Sequence, residues 1–189
     1  MKQTLVLLGA LTGAVAAAPA LAANLSYNYG NIAYLSETGG GNTGTGVTVD
    51  GSAAIGTNVN VVASYDSVSI NNITINPLTI GVGYHMDLGG WDGLAQVRYW
   101  SVSNSIGVSG TGYIVSIGGR VALNDNFELQ GLVGTDSMKV GSLTGTGTRF
   151  EVNGVYHFNQ QWGASLNYLD ESNPQYKYSM WSVGARYNF

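Results

Sequence analysis

The sequence has no cysteine, only 3 prolines and few charges: 7 basic and 11 acidic side chains in 189 residues, or 10%, against about 25% in an ordinary soluble domain. Lack of cysteine excludes a disulfide scaffold and a thiolate metal site. So few lysines and arginines, with a formal net charge of −4, exclude the basic footprint of a nucleic-acid binder. Past the N-terminus no apolar run approaches the roughly 18 residues of a spanning helix. What is present is a 44% hydrophobic fraction, too high for a disordered chain. The 28 glycines follow no three-residue period, which excludes collagen. One domain, large enough for a barrel or a sandwich, fits this length.

The N-terminus carries an address. Lys2 precedes an apolar run from Leu5 to Ala18, Pro19 breaks it, and Ala20-Leu21-Ala22 offers a small-x-small cleavage site. These are the charged, hydrophobic and cleavage regions of a secretory signal peptide, so residues 1–22 are expected to be removed and 23–189 to form the folded domain.

The remainder repeats. Short polar turns start at Gly56, Asp87, Asn124 and Asn159. Each follows a nine-residue segment with alternating apolar positions: 47–55, 78–86, 115–123 and 150–158, with a fifth, 181–189, at the C-terminus. The third reads Val115, Ile117, Gly119, Val121, Leu123; the fourth reads Phe150, Val152, Gly154, Tyr156, Phe158. Period two over nine residues is a half-buried strand, and a helix cannot produce it. The segments after each turn alternate in the same way, and Leu25, Tyr27, Tyr29, Asn31, Ala33 and Leu35 open the series as the apolar face of a first strand. Ten strands result. Stretches 36–44, 71–76, 103–110, 139–146 and 171–175, rich in Gly, Ser, Thr and Asn, read as loops. Asp50-Gly51 and Asn153-Gly154 are strong hairpin signals in mid-segment; read as turns, they would reduce the count to eight.

Charge sets the class. The apolar faces carry no charged residue. Asp50, Asp66, Arg98, Arg120, Glu128, Asp136, Arg149, Glu151 and Arg186 all take the other phase. An uncharged outside and a charged inside suit a closed sheet in a bilayer, and closure is required because an open edge in lipid leaves backbone groups unpaired. Aromatic residues gather near both ends of the strands: Trp91, Phe127, Trp162 and Trp181 are candidates for the interfacial girdle, with Tyr34, Tyr65, Tyr99, Tyr113 and Tyr178 near the longer links. The expected fold is an all-β, closed antiparallel transmembrane barrel of ten strands.

The C-terminus, Gly184-Ala185-Arg186-Tyr187-Asn188-Phe189, resembles the terminal signature of bacterial outer-membrane barrels: a glycine, alternating hydrophobics and a final Phe. The hairpins are similar to those of small barrels of the opacity and outer-membrane-protein-X type, and to the short gammaproteobacterial barrels linked to activation of a rice immune receptor. The resemblance implies a Gram-negative outer-membrane location. It also implies that Gly184, Tyr187 and Phe189 are read by the barrel assembly machinery, and that periplasmic chaperones and outer-membrane lipid and lipopolysaccharide are the partners of a monomer.

Phase places Arg98, Arg120 and Arg186 inside, facing Asp50, Glu128 and Glu151, a set of both signs that would pair and plug a narrow lumen. No Gly-x-Ser-x-Gly or His-Glu-x-x-His occurs. His85 and His157 hold one repeated position near a strand end and read as structural. No cofactor or metal is expected. The expected role is structural or one of surface contact, in envelope integrity or adhesion. A small passive channel is the alternative, and an outer-leaflet lipid-modifying enzyme a third.

Overall fold

The structure, a computed structural model, describes residues 25–173 and 177–189. The expected signal peptide, 1–22, lies outside the described residues. Ten strands follow in order: β1 (Tyr29–Gly39), β2 (Asn42–Ala54), β3 (Val59–Ile70), β4 (Ile73–Asp87), β5 (Asp92–Asn104), β6 (Ser109–Asn124), β7 (Phe127–Val140), β8 (Leu143–His157), β9 (Trp162–Ser172) and β10 (Lys177–Asn188). Each pairs antiparallel with its chain neighbours, and β1 also pairs with β10, from Tyr29↔Asn188 to Gly39↔Tyr178, closing the barrel. Closure leaves no edge strand.

Asp50-Gly51 and Asn153-Gly154 lie inside β2 and β8, so the ten-strand count stands. Both glycines make room. A Cβ on Gly51 would stand 2.7 Å from the Tyr29 carbonyl oxygen, and the Phe127 ring leans over Gly154. The turns on the terminus side are built by Asn and Asp side chains. Asn124 Oδ1 accepts the N–H of Asn126 and of Phe127, and Asn159 Oδ1 accepts those of Gln161 and Trp162. A side chain that mimics the backbone turn is why these residues recur there. Asn58 and Asn126 then donate to the carbonyls of His85 and His157 on the neighbouring strands. Those bonds hold only the backbone at the two equivalent positions; the histidine side chains themselves face lumen carboxylates, His85 Nδ1 at 3.7 Å from Asp92 and His157 Nε2 at 3.4 Å from Glu128.

Alternation sets the two faces. Val49, Ile80, Val97, Ile117 and Leu166 point outward and are exposed, whereas the charged positions of the other phase are buried or half-buried within the lumen. Three sequence expectations need correction. The first strand was assigned the wrong face: Ile32 and Tyr34 point out, beside Val49 and Val47 of β2, while Ala33 and Leu35 are buried in the lumen. The inward stripe of β1 is itself apolar, so hydrophobicity alone selects the wrong phase. Second, 36–44, 71–76 and 139–146 are not loops. The strands run on through them and meet at the two-residue turns Gly40-Gly41, Asn71-Asn72 and Gly141-Ser142. Gly40 and Gly41 (φ +58° and +80°) and Asn71 and Asn72 (φ 50° and 66°) occupy the left-handed region that such hairpin turns demand. Third, Tyr178 is not part of the girdle; it turns into the lumen and donates a hydrogen bond to Glu171.

Candidate functional site

The charged residues of the lumen form two layers, and the tighter one lies toward the chain termini. Glu128, on β7, is its centre. Arg120 of β6 donates to both Glu128 oxygens at 2.8 and 2.9 Å, and Arg186 of β10 donates to Oε1 at 2.7 Å from across the lumen. His157 Nε2 lies 3.4 Å from Oε2. Both guanidiniums and the carboxylate are nearly inaccessible. At these distances the hydrogen bonds are charge-assisted and short.

The chain's own N-terminal segment completes this layer. The Ser26 carbonyl accepts hydrogen bonds from Arg120 (2.9 Å) and Arg186 (3.2 Å). Tyr27 donates to Asp92 at 2.6 Å, and its ring stacks on His85 with centroids 3.7 Å apart. The Arg186 guanidinium lies 3.7 Å from the Tyr29 ring centroid, within cation–π range. Asn28 ties the segment to the sheet: its side chain accepts the N–H of Ala54 and its carbonyl accepts that of Phe189. Burial and the bond to Asp92 push the Tyr27 hydroxyl well above its ordinary range, so it remains a donor. Side chains from β4, β5, β6 and β10 thus meet on one short segment that reaches across the lumen.

The second layer is looser. Arg98 of β5 reaches across to Glu151 of β8 at 3.3 Å, and Arg149 lies 3.5 Å from the same carboxylate and 2.8 Å from Glu171. Asp50 does not join either network. It accepts the Asn31 amide at 2.7 Å and faces a cavity of about 300 Å³ above the tight layer. Glu37, Asp66 and Trp100 also line this cavity. Of the six charged residues singled out from sequence, the structure therefore gathers Arg120, Glu128 and Arg186 in one cluster, Arg98 and Glu151 in another, and leaves Asp50 apart. The N-terminal segment is the part that sequence reasoning missed, because Tyr27 and Tyr29 read as the start of an outward strand face. Among the described residues no group of three or more His, Cys, Asp and Glu side chains could hold a metal ion.

The other predicted positions lie on the sheet. Trp91 packs over Gly119 of β6. Trp162 and Tyr187 meet at 4.9 Å between ring centroids, and Trp181 and Tyr34 at 5.9 Å. Gly184 lets β1 approach closely, since a Cβ there would strike the Ile32 carbonyl and Ala33, and Phe189 is exposed at the end of the closing strand.

No known family matches the chain, and no curated protein is similar to it in sequence. Solved structures do resemble it. The beta domain of the Bordetella autotransporter BrkA aligns over 85% of this chain and 98% of its own, with 8% identity and a TM-score of 0.53. The translocator domain of the autotransporter NalP from Neisseria meningitidis aligns over 99% and 96% (16% identity, TM-score 0.48), and the attachment invasion locus protein Ail of Yersinia pestis over 86% and 99% (15% identity, TM-score 0.45). These likenesses do not extend to the finer opacity or outer-membrane-protein-X kinship. The shared feature is the architecture, and this chain has the fold of a small outer-membrane β-barrel.

Proposed function

We propose that the protein is an outer-membrane barrel with a structural or surface-contact role and a lumen closed to solutes. The observation that carries this reading is the Arg120–Glu128–Arg186 cluster with Ser26 and Tyr27 seated on it, a packed layer across the lumen. Water and ions need a continuous polar path, and this layer uses its polar atoms on itself. The turn side, with the termini, faces the periplasm, and Gly184, Tyr187 and Phe189 are the positions the assembly machinery reads. With two-residue turns at Gly40-Gly41, Asn71-Asn72 and Gly141-Ser142, the far end offers a rim and an outer wall for contact rather than long loops.

Planar-bilayer recording tests the closed lumen. The wild-type barrel carries no steady current, and Tyr27→Ala, which frees the segment from Asp92 and His85, produces unitary steps. Steady current through the wild type would replace this reading with that of a passive channel.

A further inference from the structure

The strands are longer than a membrane requires. β6 has 16 residues, β4 and β8 have 15 each, and about 9–11 tilted residues cross the hydrocarbon. The surplus lies beyond Tyr99, Tyr113, Tyr168 and Trp181, on the side away from the termini. There the outward positions change character. On β6–β8 they are Ser109, Thr111, Thr135, Ser137, Lys139, Thr144, Thr146 and Thr148, all exposed. Register places Thr111 opposite Lys139 and Tyr113 opposite Ser137 on one side, and Lys139 opposite Thr144 and Ser137 opposite Thr146 on the other. These six side chains line an open depression on the outer wall.

Heights along this wall match the layers of a lipid leaflet. Tyr113 is 60% exposed and meets Tyr99 edge-on, as an interfacial ring does. Lys139 stands two residues beyond Ser137, the partner of Tyr113. At 3.4 Å per residue and a tilt near 40°, that is about 5 Å farther along the barrel axis, the level of headgroup phosphates. Below the ring the column continues as Val115, Ile117 and Val133, all exposed and apolar. Lys139 makes no ion pair with any described residue. It is one of only three charged side chains at outward strand positions among the described residues; the others, Asp170 and Lys177, stand on β9 and β10.

We propose that this wall docks a phosphorylated glycolipid of the outer leaflet. Lys139 receives a phosphate, the hydroxyls of Thr111, Ser137, Thr144 and Thr146 hydrogen-bond the saccharide, the Tyr113 ring covers a sugar face, and the acyl chains lie on Val115, Ile117 and Val133. The continuous apolar column beneath the polar one selects a lipid over a soluble phosphosugar. The proposal rests on the membrane reading above.

The test uses the full folded barrel in phosphatidylcholine nanodiscs doped with diphosphoryl lipid A or, separately, with phosphatidylglycerol. Lipid retained per barrel is counted by native mass spectrometry. The wild type enriches diphosphoryl lipid A over both other lipids. Lys139→Gln lowers the enrichment about fivefold, the equivalent of ~1 kcal/mol for one lysine at a charged surface, and Lys177→Gln leaves it unchanged. Thr144→Val with Thr146→Val erases the preference over phosphatidylglycerol. Equal retention of phosphatidylglycerol by the wild type overturns the saccharide assignment, and a Lys139→Gln barrel that binds as well as the wild type overturns the site. Heat-modifiable gel migration of each variant reports the closed barrel independently, so failure of the membrane reading is told apart from failure of the docking site.

Discussion

Single residues decide whether the lumen is packed or hollow, and Glu128 matters most because two guanidiniums meet it at 2.7 to 2.9 Å in a nearly inaccessible layer, closer than the pair on Glu151. Removing one member of a buried ionic cluster leaves the others uncompensated, which costs about 3–5 kcal/mol in a dry site. Water in the cavity above moderates this, so Glu128→Ala is expected to cost about 3 kcal/mol, read as a fall in the urea midpoint of the detergent-folded barrel. Asp125→Asn, at an exposed turn position, changes it by less than about 0.5 kcal/mol. Equal losses from the two variants would mean the cluster has no special role. Strand parity put Glu128, Arg120 and Arg186 on one face without any structure. It could not say which carboxylate meets which arginine, because that depends on reach across the lumen between strands far apart in sequence. Nor could it find the seat of Tyr27, whose partner Asp92 lies 65 residues away and whose local pattern is that of a strand.

For whole elements, alternation was readable wherever one face touches lipid, and it failed where that contrast fades. In 36–44 and 139–146 Gly, Ser, Thr and Asn predominate and alternation fades, so the segments look like loops although the ladder continues to the turn. β1 failed for the opposite reason, since both its faces are apolar. One signal could have corrected it: Glu37, two residues past Leu35, lies on the same face, and charged side chains mark the lumen side of most other strands, Asp50 on β2, Asp66 on β3 and Arg98 on β5 among them. The far turns carry their own prediction. Asn71 and Asn72 hold left-handed backbone, which costs a β-branched residue about 1–2 kcal/mol each. Asn71→Val with Asn72→Val should therefore open the β3–β4 tip to protease in folded vesicles, whereas Gly at both positions should keep it resistant. A valine variant as resistant as the glycine one would show that the turn is held by something other than its backbone geometry.

Across the whole molecule, the account rests on one division: outward side chains meet hydrocarbon and inward ones meet the lumen. It explains the low charge, the ten-strand closure and the aromatic positions together, since each follows from burying a sheet in lipid with no free edge. Because the chain has no native cysteine, single introduced cysteines can be labelled with a fluorophore one at a time and quenched by brominated lipid. The direct measurement is a scan of residues 32–35 and 115–118. The account predicts strong quenching at Ile32, Tyr34, Val115 and Ile117 and weak quenching at Ala33, Leu35, Ser116 and Gly118. Uniform quenching along either strand, or strong quenching at Ala33 and Leu35 in place of Ile32 and Tyr34, would contradict it.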